Sequence, residues 1–147
     1  MLDEYSKLVN TTFNDIYEAI QRVEQQMLKS TKLDLSISEL NILETIRKAN
    51  CKGCSVSEIA RAQNVTLPTI TVAIKRLEAK GYVEKVRSQE DGRMVSIRLS
   101  RQGEKADAAH RYFHEQMIRA FLKDVGQKDR VVVLSALKNL SAFLNQV

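Results

Sequence analysis

Pro68, Val72, Lys75 and Ala79 share one side of a helix if Ile70, Ile74 and Leu77 form its buried side, since each residue advances about 100° around the axis. Thr69, Thr71 and Arg76 flank that outer side, which thus holds cations and hydroxyls but no acid. Its chemistry is recognition of a polyanion. Lys75 and Arg76 can bond phosphates or guanine edges, Thr69 and Thr71 can bond either, and Val72 can touch a thymine methyl. Arg87, Arg93 and Arg98 surround an Asp91-Gly92 turn, and Arg93 is the one expected to enter a narrow minor groove, where negative potential is enhanced. Asp91 is either an internal partner orienting an arginine or a turn-forming residue. Thr66, Ser55 and Ser57 complete the DNA-binding candidates. The bland alternative is an ordinary solvated helix face.

Two other pairs have the spacing of ligands. His110 and His114 stand four apart on one predicted helix face, but a tetrahedral metal site needs at least one further ligand, so packing or surface histidines are the stronger reading and no cofactor is expected. Cys51-x-x-Cys54 supplies two thiolates and no second pair, which favours structural or incidental cysteines over redox sensing or metal binding. A Gly-rich phosphate loop, a nucleophile elbow and a dense cluster of His and carboxylates are all missing, so no catalysis is expected.

The elements that would position these residues are legible from caps and periodicity. Ser36 to Glu39 and Ser55 to Glu58 read as capping boxes opening two helices, the second stopping at Asn64. Thr66 caps a third, with Pro68 in its first turn and Gly81 at its end. After Gly81, Val95, Ile97 and Leu99 alternate with Ser96 and Arg98, and Asp91-Gly92 is a hairpin-turn signal, so a β-hairpin follows. Ser100 caps a long helix that runs through Phe113, Met117 and Phe121 towards Gly126, with Gly103 in its first turn. Phe13, Ile16, Ile20, Val23 and Met27 form an apolar stripe near the start, and Val133, Leu137, Leu140, Leu144 and Val147 another at the end. These stripes pack within the chain or against a second copy.

Composition agrees with a mostly helical chain carrying a small β-hairpin. The 147 residues include 5 Gly, 1 Pro and no Trp, with 44% hydrophobic residues, a length suited to one domain over residues 1–147. The formal net charge is +5. Residues 1–35 carry 4 basic and 6 acidic groups, residues 36–105 carry 13 and 8, and residues 106–147 carry 6 and 4, so the basic excess sits in the middle. Early charges, few cysteines and the lack of a long apolar run point to a cytoplasmic protein without a membrane partner.

Val65-Thr66-Leu67-Pro68-Thr69-Ile70-Thr71, Arg76-Leu77-Glu78-Ala79-Lys80-Gly81-Tyr82-Val83, Asp91-x-Arg93 and Leu99-Ser100-x-x-Gly103 together resemble the MarR family of bacterial repressors. The resemblance implies a winged helix-turn-helix over residues 36–100, with helical dimerisation regions at 1–35 and 101–147. It implies a homodimer on a pseudo-palindromic duplex, Thr66 to Arg76 as recognition segment, Arg93 as minor-groove arginine and Asp91 as its support. Ser100 stands where Thr is usual, and Val72 at a position often polar. Ser36-Ile37-Ser38-Glu39, Arg87-Ser88-Gln89-Glu90-Asp91 and His110-Arg111-Tyr112-Phe113-His114 resemble the branch that represses fatty-acid synthesis genes in Gram-positive bacteria, which implies an acyl chain or acyl carrier protein as effector. Some MarR-like regulators sense zinc through histidines on this helix; here the second helix offers Asn41 where such a site would need another histidine. A zinc- or redox-responsive regulator of the same fold, or a helical interaction protein that binds no DNA, are the alternatives.

Overall fold

The computed structural model describes residues 1–49, 53–87, 92 and 94–147. The chain forms two compact units, Met1–Ala108 and Ala109–Val147.

In the first unit, α1 spans Glu4–Thr31, and its N-terminus is capped by Asp3, whose carboxylate accepts from Ser6 N at 2.6 Å. Helix α2 covers Ile37–Lys48 and carries the complete capping box expected at Ser36, with Ser36 Oγ accepting from Glu39 N and Glu39 Oε2 from Ser36 N. Such a cap contributes about 1 kcal/mol. Helix α3, Val56–Gln63, keeps only the forward half of the expected second box among the described residues, Ser55 Oγ accepting from Glu58 N at 3.1 Å. It stops where Asn64 turns left-handed, and α4, Leu67–Ala79, starts two residues later from its Thr66 cap. Gly81, at φ +84°, turns the chain out of α4 into the sheet, a conformation open to glycine at little cost.

Strands β1, Val83–Arg87, and β2, Val95–Leu99, pair antiparallel with Val83 opposite Leu99 and Arg87 opposite Val95. Of the expected inner row of β2, Ile97 is fully buried and Leu99 half-buried, but Val95 is exposed because it lies at the far end of the hairpin. Cys54 pairs with Ile97 from the other side, its N–H donating to Ile97 O at 3.0 Å and its carbonyl accepting from Ile97 N at 2.7 Å. The core gathers Leu40, Leu43 and Ile46 of α2, Ile59 of α3, Ile74 and Leu77 of α4, and Ile97. Each contributes roughly 1.5–3 kcal/mol by leaving water.

Helix α5, Arg101–Phe121, starts in the first unit, where Ser100 Oγ accepts from Gly103 N at 3.1 Å. A Cβ at Gly103 would overlap the Tyr82 carbonyl oxygen, which explains glycine in a first helical turn. The second unit holds the rest of α5 and α6, Gln127–Leu144. Helix α5 ends at Phe121, short of the expected Gly126, which instead precedes α6, and Val147 lies past the last helix. Among the described residues no helix is long and apolar enough to cross a membrane.

Candidate nucleic-acid interface

Burial fixes which side of α4 faces outward. Ile70, Ile74 and Leu77 are buried, while Pro68, Thr69, Lys75, Arg76 and Ala79 are exposed and Val72 is 50% exposed. The outer face is the one deduced from the sequence and carries no acid; Glu78, the sole acid of the helix, is 3.9 Å from Lys85 on β1. Among the described residues no ion pair occupies Lys75 or Arg76, so both cations remain available to an external anion.

The threonines are more constrained than their type suggests. Thr66 Oγ1 accepts from Thr69 N at 3.4 Å, and the Thr66 and Thr69 hydroxyls are 2.7 Å apart. Thr71 is half-buried and donates its hydroxyl proton to Leu67 O at 2.8 Å. Ser57 is exposed in the first turn of α3, next to the Ser55 cap, so both sit at the positive end of a helix dipole. Arg87 is exposed at the end of β1. Arg98 is held by Glu84 across the strands at 3.1 Å. Asp91 and Arg93, the two residues assigned to the wing tip, lie outside the described residues, as does Cys51.

Three side-chain ties set the helices, and none was foreseen. Lys80 Nζ, just after α4, bonds both oxygens of Glu39 at 3.2 Å and lies 3.8 Å from Asp34. Glu39 is largely buried, so one carboxylate both caps α2 and anchors α4. Gln63 Nε2 at the end of α3 donates to Thr45 Oγ1 at 2.6 Å and Asn41 O at 3.3 Å, binding α3 to α2. Arg47 Nε meets Asp107 Oδ2 at 2.7 Å, joining α2 to the first part of α5, and Asp107 is only 3% exposed. A Glu at the third helical position is a visible cap signal; its second bond, reaching 41 residues along the chain, is not.

The remaining candidates sit apart from this face. Cys54 is buried, and desolvation, aided by the Glu58 charge, pushes its thiol up to about 11, which disfavours the thiolate that redox sensing requires. In the second unit His110 and His114 do meet, Nε2 to Nε2 at 3.0 Å, with ring centroids 4.5 Å apart and nearly perpendicular planes. That hydrogen bond needs one nitrogen protonated and the other as acceptor.

The sequence profile of the SarA/Rot transcriptional regulators matches residues 24–109, from within α1 through the helix-turn-helix and hairpin into α5. The HTH-type transcriptional regulator YdgJ of Bacillus subtilis is 26% identical over 113 residues, covering 77% of this chain and 68% of the relative. Among solved structures, FabT of Streptococcus pneumoniae in complex with DNA superposes with a TM-score of 0.84 at 29% identity, covering 96% of this chain and 98% of FabT. The Staphylococcus aureus MepR–DNA complex shares the fold, with a TM-score of 0.71 at 20% identity over 90% of this chain and 94% of MepR.

Proposed function

The chain belongs to the SarA/Rot family of transcriptional regulators, MarR-like winged-helix proteins, and from that premise we propose that it is a dimeric repressor that binds a pseudo-palindromic DNA operator. The observation that carries this reading is the acid-free outer face of α4, with Lys75 and Arg76 unclaimed and the opposite side locked into the core. Thr66, Pro68, Thr69, Thr71, Val72, Lys75 and Arg76 form the major-groove segment. Ser55 and Ser57 face phosphate at the start of α3. Arg87, Asp91 and Arg93 form the wing, with Arg93 in the minor groove. Likeness to FabT, solved on DNA, supports this arrangement.

Dimerisation is supported by apolar surface left open. Leu8, Val9, Phe13 and Ile16 of α1 line a groove of about 300 Å³, and all four are large exposed side chains beside Tyr5 and Tyr17. Val131, Val132, Leu134 and Leu137 of α6 are exposed as well. In a homodimer built from regions 1–35 and 101–147, two winged modules of residues 36–100 reach successive major grooves, with half-sites about one helical turn apart. The long-chain acyl group or acyl carrier protein is our proposed effector, and fatty-acid synthesis genes the regulated set, supported by the residue segments of that branch and by the likeness to FabT.

The test is a duplex selected from a random pool and then titrated with salt against a scrambled duplex. A steep negative slope in log K against log salt, with at least 10³-fold preference for the selected duplex, is the expected result. Equal affinity for both duplexes refutes the repressor reading. Adding long-chain acyl carrier protein, zinc or a thiol oxidant in parallel identifies the effector: a response to zinc alone replaces the acyl proposal with the His110–His114 pair.

A further inference from the structure

The outer face of α4 carries unusual chemistry for a DNA-reading helix. Its central line is Pro68, Val72, Lys75 and Ala79, and three of these four have no side-chain hydrogen-bonding group. The hydroxyls that could read base edges are engaged within the helix start: Thr71 donates to Leu67 O, and Thr66 and Thr69 bond each other. Helix α4 has no Asn or Gln to bond adenine in bidentate fashion. Its one carboxylate, Glu78, lies beside Lys85 and off the outer face, so no carboxylate there accepts from cytosine N4. Lys75 and Arg76 can serve phosphate or guanine. Thymine is the remaining base, and in the major groove it is distinguished by an apolar group, its 5-methyl.

We propose that α4 reads thymine through this methyl, with Val72 as the central specificity-determining contact and Pro68 beside it. The inference rests on the DNA-binding reading above and adds which base the helix prefers and by which atoms. Cytosine in the same place would lack the methyl and would bring an amino group that the alkyl surface leaves without a partner. Operator positions facing Val72 in each half-site are therefore thymines.

The experiment replaces each thymine of the selected duplex in turn with deoxyuridine, which keeps the base pair, the O4 acceptor and the minor-groove edge and removes only the methyl. The wild-type protein loses about fourfold in affinity per contacted methyl, at positions related by the duplex symmetry. V72A, whose side chain is half exposed and whose urea midpoint reports on folding, binds the thymine and deoxyuridine duplexes equally at those positions. Wild-type affinity unchanged by every deoxyuridine overturns the proposal. So does a loss that persists in V72A, since it would then stem from duplex stiffness. A protein with no preference for the selected duplex over a scrambled one overturns the DNA-binding reading itself, a separate outcome.

Discussion

Replacing Lys80 with Met removes the ammonium that joins α4 to Glu39 and keeps most of the alkyl stem. In the folded protein Glu39 would then retain its bond from Ser36 N but lose two contacts of 3.2 Å. Stripping one partner from a fully buried pair costs about 3–5 kcal/mol. The Lys80 side chain is 27% exposed and Glu39 11%, so water reaches the carboxylate once the ammonium is gone. Solvent screening lowers the expected cost to about 2 kcal/mol. For a chain of this length that is a fall in Tm of roughly 4–8 °C. Urea unfolding at fixed protomer concentration measures it, since a dimer's midpoint moves with concentration. E39Q, which keeps a capping amide, supplies the second corner of a cycle, and E39Q/K80M the third. A coupling of about 1 kcal/mol is expected. If K80M costs less than about 0.5 kcal/mol, or the two changes add without coupling, the tie does not hold α4 and the reasoning fails.

Three further outcomes follow from the same geometry. K75A should weaken all duplexes alike and lower the salt slope by about one if Lys75 meets phosphate, whereas a loss confined to the selected duplex would assign it to a base. F13E and L137E, each placing a charge on an exposed apolar stripe, should yield folded monomers by sedimentation, and dimers surviving both changes would disprove the proposed interface. In a C51S background Cys54 should alkylate at pH 7.5 about a hundredfold more slowly than an unperturbed thiol. Burial raises this thiol from 9.0 to about 11, so the neutral form favours the fold below pH 9 and that stabilisation is lost as pH climbs towards 11.

Local signals in the sequence were sufficient for the parts of the site built on one helix. Ser36, Ser55 and Thr66 start α2, α3 and α4 because a side-chain oxygen satisfies an amide within one turn, and such spacing is visible in three or four letters. The outward side of α4 follows from Ile70, Ile74 and Leu77 by the same local periodicity. Lys80 with Glu39, Gln63 with Thr45 and Arg47 with Asp107 are different in kind. Each joins residues brought together only when the helices pack, and each uses a polar residue that a one-dimensional pattern assigns to solvent. The engaged hydroxyls of Thr66, Thr69 and Thr71 were hidden for a related reason: residue type gives the donor, and only rotamer and backbone position give its partner. Val95 was misplaced because alternation ignores where a hairpin leaves the core.

The two backbone hydrogen bonds between Cys54 and Ile97 have a mechanical consequence. Residue 54 immediately precedes the Ser55 cap of α3, and Ile97 lies in the middle of β2, so these main-chain bonds rivet β2 to the start of α3. A change of side chain at position 54 leaves both bonds in reach, and only proline, which lacks the N–H, would abolish the one that residue 54 donates. The described strands of the hairpin thus resemble one arm of a caliper whose other arm is α4. A caliper cannot stretch to suit its object: on the proposed operator, the distance between the groove read by α4 and the groove met by the wing becomes a length standard, and insertion of a single base pair between them should be tolerated less well than many changes of base.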